Sequence, residues 1–163
     1  MKVPMTPRGH ATLQQELKRL KAMRSEIAAA IEHARGQGDI SENADYDAAK
    51  ERSGMTEAKI RDLESKLGNA QIIDPRKLGE ISRAVFGASV KYMDVDSEEE
   101  RVITIVGVDE CDVSKGLISF ESPLAKALIG KEQGDTVTVF LPGGQREIEI
   151  VEIFVEYTEI TLE

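Results

Sequence analysis

The sequence predicts an α+β fold: an antiparallel coiled-coil helical hairpin over residues 1–75, then an antiparallel sheet domain with one short helix over residues 76–163. Three observations predict it. Apolar residues recur at alternating spacings of three and four as far as residue 70, the period of a packed helix seam. After Pro75 the pattern changes to short runs rich in Val, Ile and Phe separated by turn residues, as in strands. Charge divides at the same place: residues 1–75 carry 12 basic and 12 acidic side chains, residues 76–163 carry 9 and 18, and the whole net charge of -9 lies in the second part.

The first helix is expected to start at Thr6-Pro7, because threonine caps exposed backbone donors and proline suits the first helical position. Its seam is Leu13, Leu17, Leu20, Arg24, Ile27, Ile31 and Ala34, broken only by Arg24, and it fades at Gly36-Gln37-Gly38, whose glycines permit a reversal. The second seam runs Tyr46, Ala49, Ser53, Thr56, Ile60, Leu63, Leu67 and Ala70, with its stop expected near Asp74-Pro75. A short connection between long helices makes them antiparallel. Leucines oppose one another near the base, whereas Ala49, Ser53 and Thr56 keep the distal part slim. About 29 helical residues rising about 1.5 Å each give an arm roughly 40 Å long.

Strands are expected at 84–86, 89–92, 101–106, 117–120, 136–140 and 147–155, the last alternating strictly through Glu147-Ile148-Glu149-Ile150. Ser122-Pro123 through Gly130 carries the start and stop signals of one short helix.

Composition removes several function classes. With 163 residues, 40% of them hydrophobic, the chain can bury a core. No run approaches the roughly 20 apolar residues of a membrane span, and the opening residues lack a secretory apolar stretch, so a cytoplasmic protein without membrane contact is expected. One cysteine, Cys111, and two histidines, His10 and His33, provide neither an internal disulfide nor a zinc ligand set. Cys111 has no base beside it in the sequence, and both histidines read as surface residues. The acidic balance disfavours direct, tight DNA binding, which depends on basic groups displacing counterions.

Chemistry concentrates between the helices, where Gly38-Asp39-Ile40-Ser41-Glu42-Asn43-Ala44-Asp45-Tyr46-Asp47 sets four carboxylates within nine residues. Two readings stand together. Asp39 and Glu42 have the spacing of a capping box for the second helix. Asp39, Glu42 and Asp45 at spacing three also form a cluster of hard oxygens able to hold Mg²⁺ if a partner completes the shell. Arg35, Lys50 and Arg52 stand near this segment, Lys18, Arg19, Lys21 and Arg24 read first as a solvated face, and Tyr46 reads first as a seam residue.

Four segments together resemble the bacterial transcript cleavage factors of the Gre family: Pro4-Met5-Thr6-x-x-Gly9, Gly38 through Tyr46, Asn69 through Asp74, and Ser122 through Lys131. The resemblance spans essentially the whole chain in one register. It implies that the second domain is FKBP-like and docks on RNA polymerase at the mouth of its secondary channel, and that the hairpin reaches the active site. It further implies that Asp39 and Glu42 help hold the polymerase's second Mg²⁺, so that the factor stimulates the polymerase's own cleavage of backtracked nascent RNA at its 3' end without being an enzyme itself. Asp45 stands where glutamate is common in the family, and Ser122 and Pro123 match a segment expected to contact polymerase. Helix capping is their alternative role. Competing readings are a channel-binding inhibitor without cleavage activity, and a prolyl isomerase, which would need an aromatic-lined pocket that few residues here could build.

Overall fold

The computed structural model describes residues 2–36 and 44–157, and these divide into two compact units. One unit is residues 11–69. The other joins residues 2–10 to 70–157, so the first ten residues, read from the sequence as part of the hairpin domain, are held with the globular part instead. The reason is a two-stranded parallel sheet: β1 (Val3–Met5) pairs with β2 (Ala70–Ile72) in the register Val3↔Ala70 to Met5↔Ile72.

In the hairpin unit, α1 (Pro7–Arg35) starts and ends where the sequence places it. Gly36 closes it by donating its amide to the carbonyls of Glu32 and His33, each at 3.2 Å. The second helix, α2 (Ala44–Gly68), stops earlier than the expected Asp74-Pro75. Gly68 weakens the helix, and Asn69 turns both its amide (3.1 Å) and its side-chain Nδ2 (2.9 Å) onto the Ser65 carbonyl. Ala70 therefore continues the heptad spacing by coincidence and belongs to β2.

Leu20, Ile60 and Leu63 form the buried seam, with Leu13, Leu17 and Met23 packed against it. Arg24, the one break in the seam, lies at its edge and grips Glu57 of α2 through Nε at 2.7 Å and Nη2 at 2.9 Å. Lys21 meets Glu64 at 3.2 Å. Partners that run 21 to 24 on one helix and 64 to 57 on the other make the helices antiparallel. Distally the buried residues are small, Ala34, Ala49 and Thr56, with Ile27 the only large one among those described.

The globular unit has a five-stranded sheet in the order β5-β4-β3-β7-β6, formed by β3 (Ser89–Asp94), β4 (Glu100–Val106), β5 (Leu117–Ser119), β6 (Thr136–Leu141) and β7 (Gly144–Phe154). Three pairings are antiparallel, but β4 and β5 are parallel. The sheet is therefore mixed rather than wholly antiparallel, because the connection from 107 to 116, with short 3₁₀ turns at Val108–Glu110 and Val113–Lys115, is long enough to bring the chain back in the same direction. The expected strand at 84–86 is absent. Ala84 is fully buried and joins no ladder: its amide donates to the Lys131 carbonyl (2.9 Å) and its carbonyl accepts from the Gly130 amide (2.8 Å), beside an isolated antiparallel bridge between Arg83 and Glu132.

One sheet face carries the core. Val90, Ile103, Ile105, Val137, Val139, Ile148 and Ile150 occupy alternate positions along their strands, and α3 (Pro123–Leu128) lays Ala125 and Leu128 on them.

Candidate functional site

Asp39 and Glu42, the carboxylates singled out as the catalytic and metal-holding pair, lie outside the described residues. The helix ends that flank them are described. At the start of α2, Asp45 and Asp47 place negative charge in the first turn, where the helix dipole favours it. Lys50 sits over the Tyr46 ring, 5.4 Å from its centroid, and Tyr46 is half-buried in the seam. Arg35, in the last turn of α1, reaches Glu32 at 4.0 Å, and Arg52 is exposed on α2. Among the described residues no group of three His, Cys, Asp or Glu side chains could hold a metal ion.

The basic residues further down α1 have other partners. Arg19 is paired with Glu16 at 2.6 Å, Lys21 with Glu64 and Arg24 with Glu57. The hydrogen bond from Arg24, with its charge behind it, holds the Glu57 carboxyl below its ordinary value. Arg19 thus meets a carboxylate of its own helix and Arg24 one of the facing helix, a pairing not legible locally because Glu57 is 33 residues away.

In the globular unit, Ser122 is the cap of α3: its Oγ accepts from the Ala125 amide at 3.2 Å, and Pro123 takes the first helical position. The capping alternative for this pair is thus realised, and Pro123 is also exposed. The next residue, Leu124, turns into a cavity of 330 Å³ together with Tyr92, Arg101, Val139, Arg146 and Ile148. Asp94 borders it too. Its carboxyl is held below the ordinary range chiefly by the Ser97 amide, then by that of Asp96 and by Arg146 at 3.7 Å. Burial is the main influence on the Tyr92 hydroxyl and pushes it up, so the ring presents a neutral phenol at pH 7. Tyr92 is the one aromatic ring among the residues lining this cavity. Sequence reasoning missed this cavity because its residues come from four strands and a helix. The available signal was that Arg101 and Arg146 stand at the same alternation of their strands as the core residues Ile103, Ile105, Ile148 and Ile150.

Comparison with known proteins decides the family. Residues 3–72 match the model of the transcription elongation factor N-terminal domain, and residues 80–154 match that of the GreA/GreB C-terminal domain. The chain belongs to the GreA/GreB family of transcription elongation factors. Within this family it is 51% identical over 153 residues to transcription elongation factor GreA of Alkalilimnicola ehrlichii, covering 93% of this chain and 97% of that one. It is 52% identical over 149 residues to GreA of Ralstonia nicotianae, covering 91% and 94%. Among solved structures, GreA factor homolog 1 of Thermus thermophilus is 30% identical over 94% of this chain and 99% of its own, with a TM-score of 0.43. The two family matches fall on the two compositionally distinct parts of the sequence. No described helix is long and apolar enough to cross a membrane.

Proposed function

We propose that this chain is an accessory factor of elongating RNA polymerase that enters the secondary channel and stimulates the polymerase's own cleavage of backtracked RNA. The observation that carries the reading is the pairing of family matches over residues 3–72 and 80–154 with a run of four carboxylates, Asp39 to Asp47, that in sequence leads from the end of α1 into the first turn of α2.

Asp39 and Glu42 offer charged oxygen ligands, the donor chemistry that Mg²⁺ prefers, and two such groups are too few to hold it without a partner. Bound there with the polymerase's own ligands, a second Mg²⁺ supplies activation of water and stabilisation of the leaving oxygen. Asp45 adds negative charge in the first turn of α2. Small residues along the distal seam keep the helices slim enough for a channel. Arg35, Lys50 and Arg52 offset the phosphate charge of the nascent RNA 3' end. The globular unit supplies the docking surface, with exposed Pro123 and its neighbour Ser122 among the contacts.

The test is a halted, backtracked polymerase complex carrying 3'-labelled RNA. Short labelled products that appear only when both polymerase and factor are present support the reading. Binding without cleavage would make the chain a channel competitor. Hydrolysis of RNA by the factor alone would make it an enzyme.

A further inference from the structure

The first turn of an α-helix leaves backbone amides without helical partners, and in a capping box the side chain at the third helical position reaches back to the amide of the cap residue. In α1 that third position is Gly9, which has no side chain to do so. Thr6 supplies half of the box: its Oγ1 accepts from the Gly9 amide at 3.2 Å, and its carbonyl accepts the first helical bond from His10 at 3.0 Å. The other half comes from 104 residues away. Glu110 accepts from the Thr6 amide on Oε2 at 3.2 Å and from the Thr6 hydroxyl on Oε1, while Oε2 also accepts from the Gly107 amide at 3.2 Å.

The remaining donors are met in the same manner. Pro7 has no amide hydrogen, and the Arg8 amide donates to the Tyr157 hydroxyl at 2.7 Å. The Arg8 and Arg76 guanidiniums each lie over the Tyr157 ring, 5.3 and 5.4 Å from its centroid. The amides of Thr6, Arg8 and Gly9 thus all have partners, and two of the three partners, Glu110 and Tyr157, lie 104 and 149 residues away in sequence. The first turn of α1 contains no acidic residue, so Glu110 is also the charge that complements its dipole. The space is fitted to this carboxylate: a Cβ at Gly9 would come within 2.5 Å of Glu110 Cγ and 2.7 Å of its Oε2. Thr6 itself is 1% exposed, so its amide has no solvent to fall back on.

We infer that Glu110 completes the α1 capping box in trans and acts as a positioning residue for the hairpin. It makes the first turn of α1, itself part of the globular unit, conditional on that unit's fold, and so anchors the start of the helix whose far end leads in sequence to Asp39 and Glu42. Only the link to Asp39 and Glu42 rests on the function proposed above; the cap does not.

The experiment uses the full chain and two readouts, amide hydrogen exchange of the free protein and cleavage of backtracked RNA. Glu110→Ala is expected to speed exchange at Thr6 about tenfold, the loss of one helix cap. Glu110→Gln keeps one acceptor oxygen and the shape, and is expected to fall between wild type and alanine. Moving the carboxylate instead of removing it, with Gly9→Glu added to Glu110→Ala, rebuilds the box in cis and restores Thr6 protection. In cleavage, Glu110→Ala lowers the maximal rate severalfold at saturating factor while the half-saturating concentration changes less than twofold, because only effective concentration beyond the docking step is lost. The double variant recovers that rate.

Unchanged Thr6 exchange in both Glu110 variants would overturn the trans cap. Faster exchange with an unchanged maximal rate would leave the cap and overturn the positioning role. Absence of stimulated cleavage with the wild-type protein would refute the proposed function and the positioning role with it, while the cap would still be judged by exchange alone.

Discussion

The two units keep their structure by different means. Among the described residues, the globular unit buries eleven in one continuous cluster drawn from five strands, a short helix and a loop. The hairpin unit buries a cluster of three, Leu20, Ile60 and Leu63, and fastens its outer edge with ion pairs from Lys21 and Arg24. A sheet core gains from many long-range contacts and survives a single loss, whereas a two-helix seam depends on a few side chains in register. The difference suits the proposed work: bulk belongs on a docking surface and would obstruct an arm built to enter a channel.

The sharpest way to break the comparison is to remove one core side chain from each unit. Ile105→Ala and Ile60→Ala each delete a fully buried isoleucine and are expected to cost about 2–5 kcal/mol. In the hairpin that is about half of what the three buried seam side chains supply at about 1.5–3 kcal/mol each. Ile60→Ala should therefore melt the hairpin while the sheet remains folded, seen as loss of helical circular dichroism with the β-strand amide signals unchanged. Loss of both together would mean that the units fold as one.

A smaller effect is expected from acid. Glu57 is held below its ordinary pKa of 4.5, first by its hydrogen bond from Arg24, so its contribution is complete above that value and disappears as pH falls through the lower folded value. Hairpin helicity should decline on titration below about pH 4.5, and Glu57→Gln should start less helical and flatten that part of the curve. An identical profile in the variant would show that the exposed pair contributes nothing.

Free-protein Mg²⁺ binding should be weaker still. Titration in the low millimolar range is expected to leave the amide signals of Asp45 and Asp47 almost unmoved, because a few solvated carboxylates do not offset dehydration of this ion. Saturable micromolar binding would mean that the metal site is complete within this chain. The smallest change is expected at Phe140, which is 71% exposed at the end of β6: Phe140→Ser should alter stability by no more than about 0.5 kcal/mol in thermal melts.

Much of this was legible in the sequence because period and punctuation act locally. Thr6-Pro7 and Gly36 bound α1, Ser122-Pro123 begins α3, and alternation marks β7. What escaped depends on partners far along the chain. The β1–β2 pairing ended α2 early and moved residues 2–10 into the globular unit, although Ala70 still fits the heptad. The parallel β4–β5 pair leaves no trace in strand composition. Arg24 looked like a flaw in the seam until Glu57 was placed beside it, and Glu110 looked like one acid among many until the bare Gly9 showed where its carboxylate goes. The acidic segment was visible as a cluster, yet its spacing served capping and metal binding equally well, so geometry and partners must choose between them.

That choice is made most directly by measuring cleavage of backtracked RNA with Asp39→Asn and Glu42→Gln while polymerase binding and hairpin helicity are followed separately. Each swap keeps size and removes the charge that an Mg²⁺ ligand needs. The account predicts that both variants bind polymerase nearly as wild type, keep their helices, and lose stimulated cleavage by at least about a hundredfold. Cleavage at the wild-type rate by either variant would contradict it and leave that carboxylate as a helix cap.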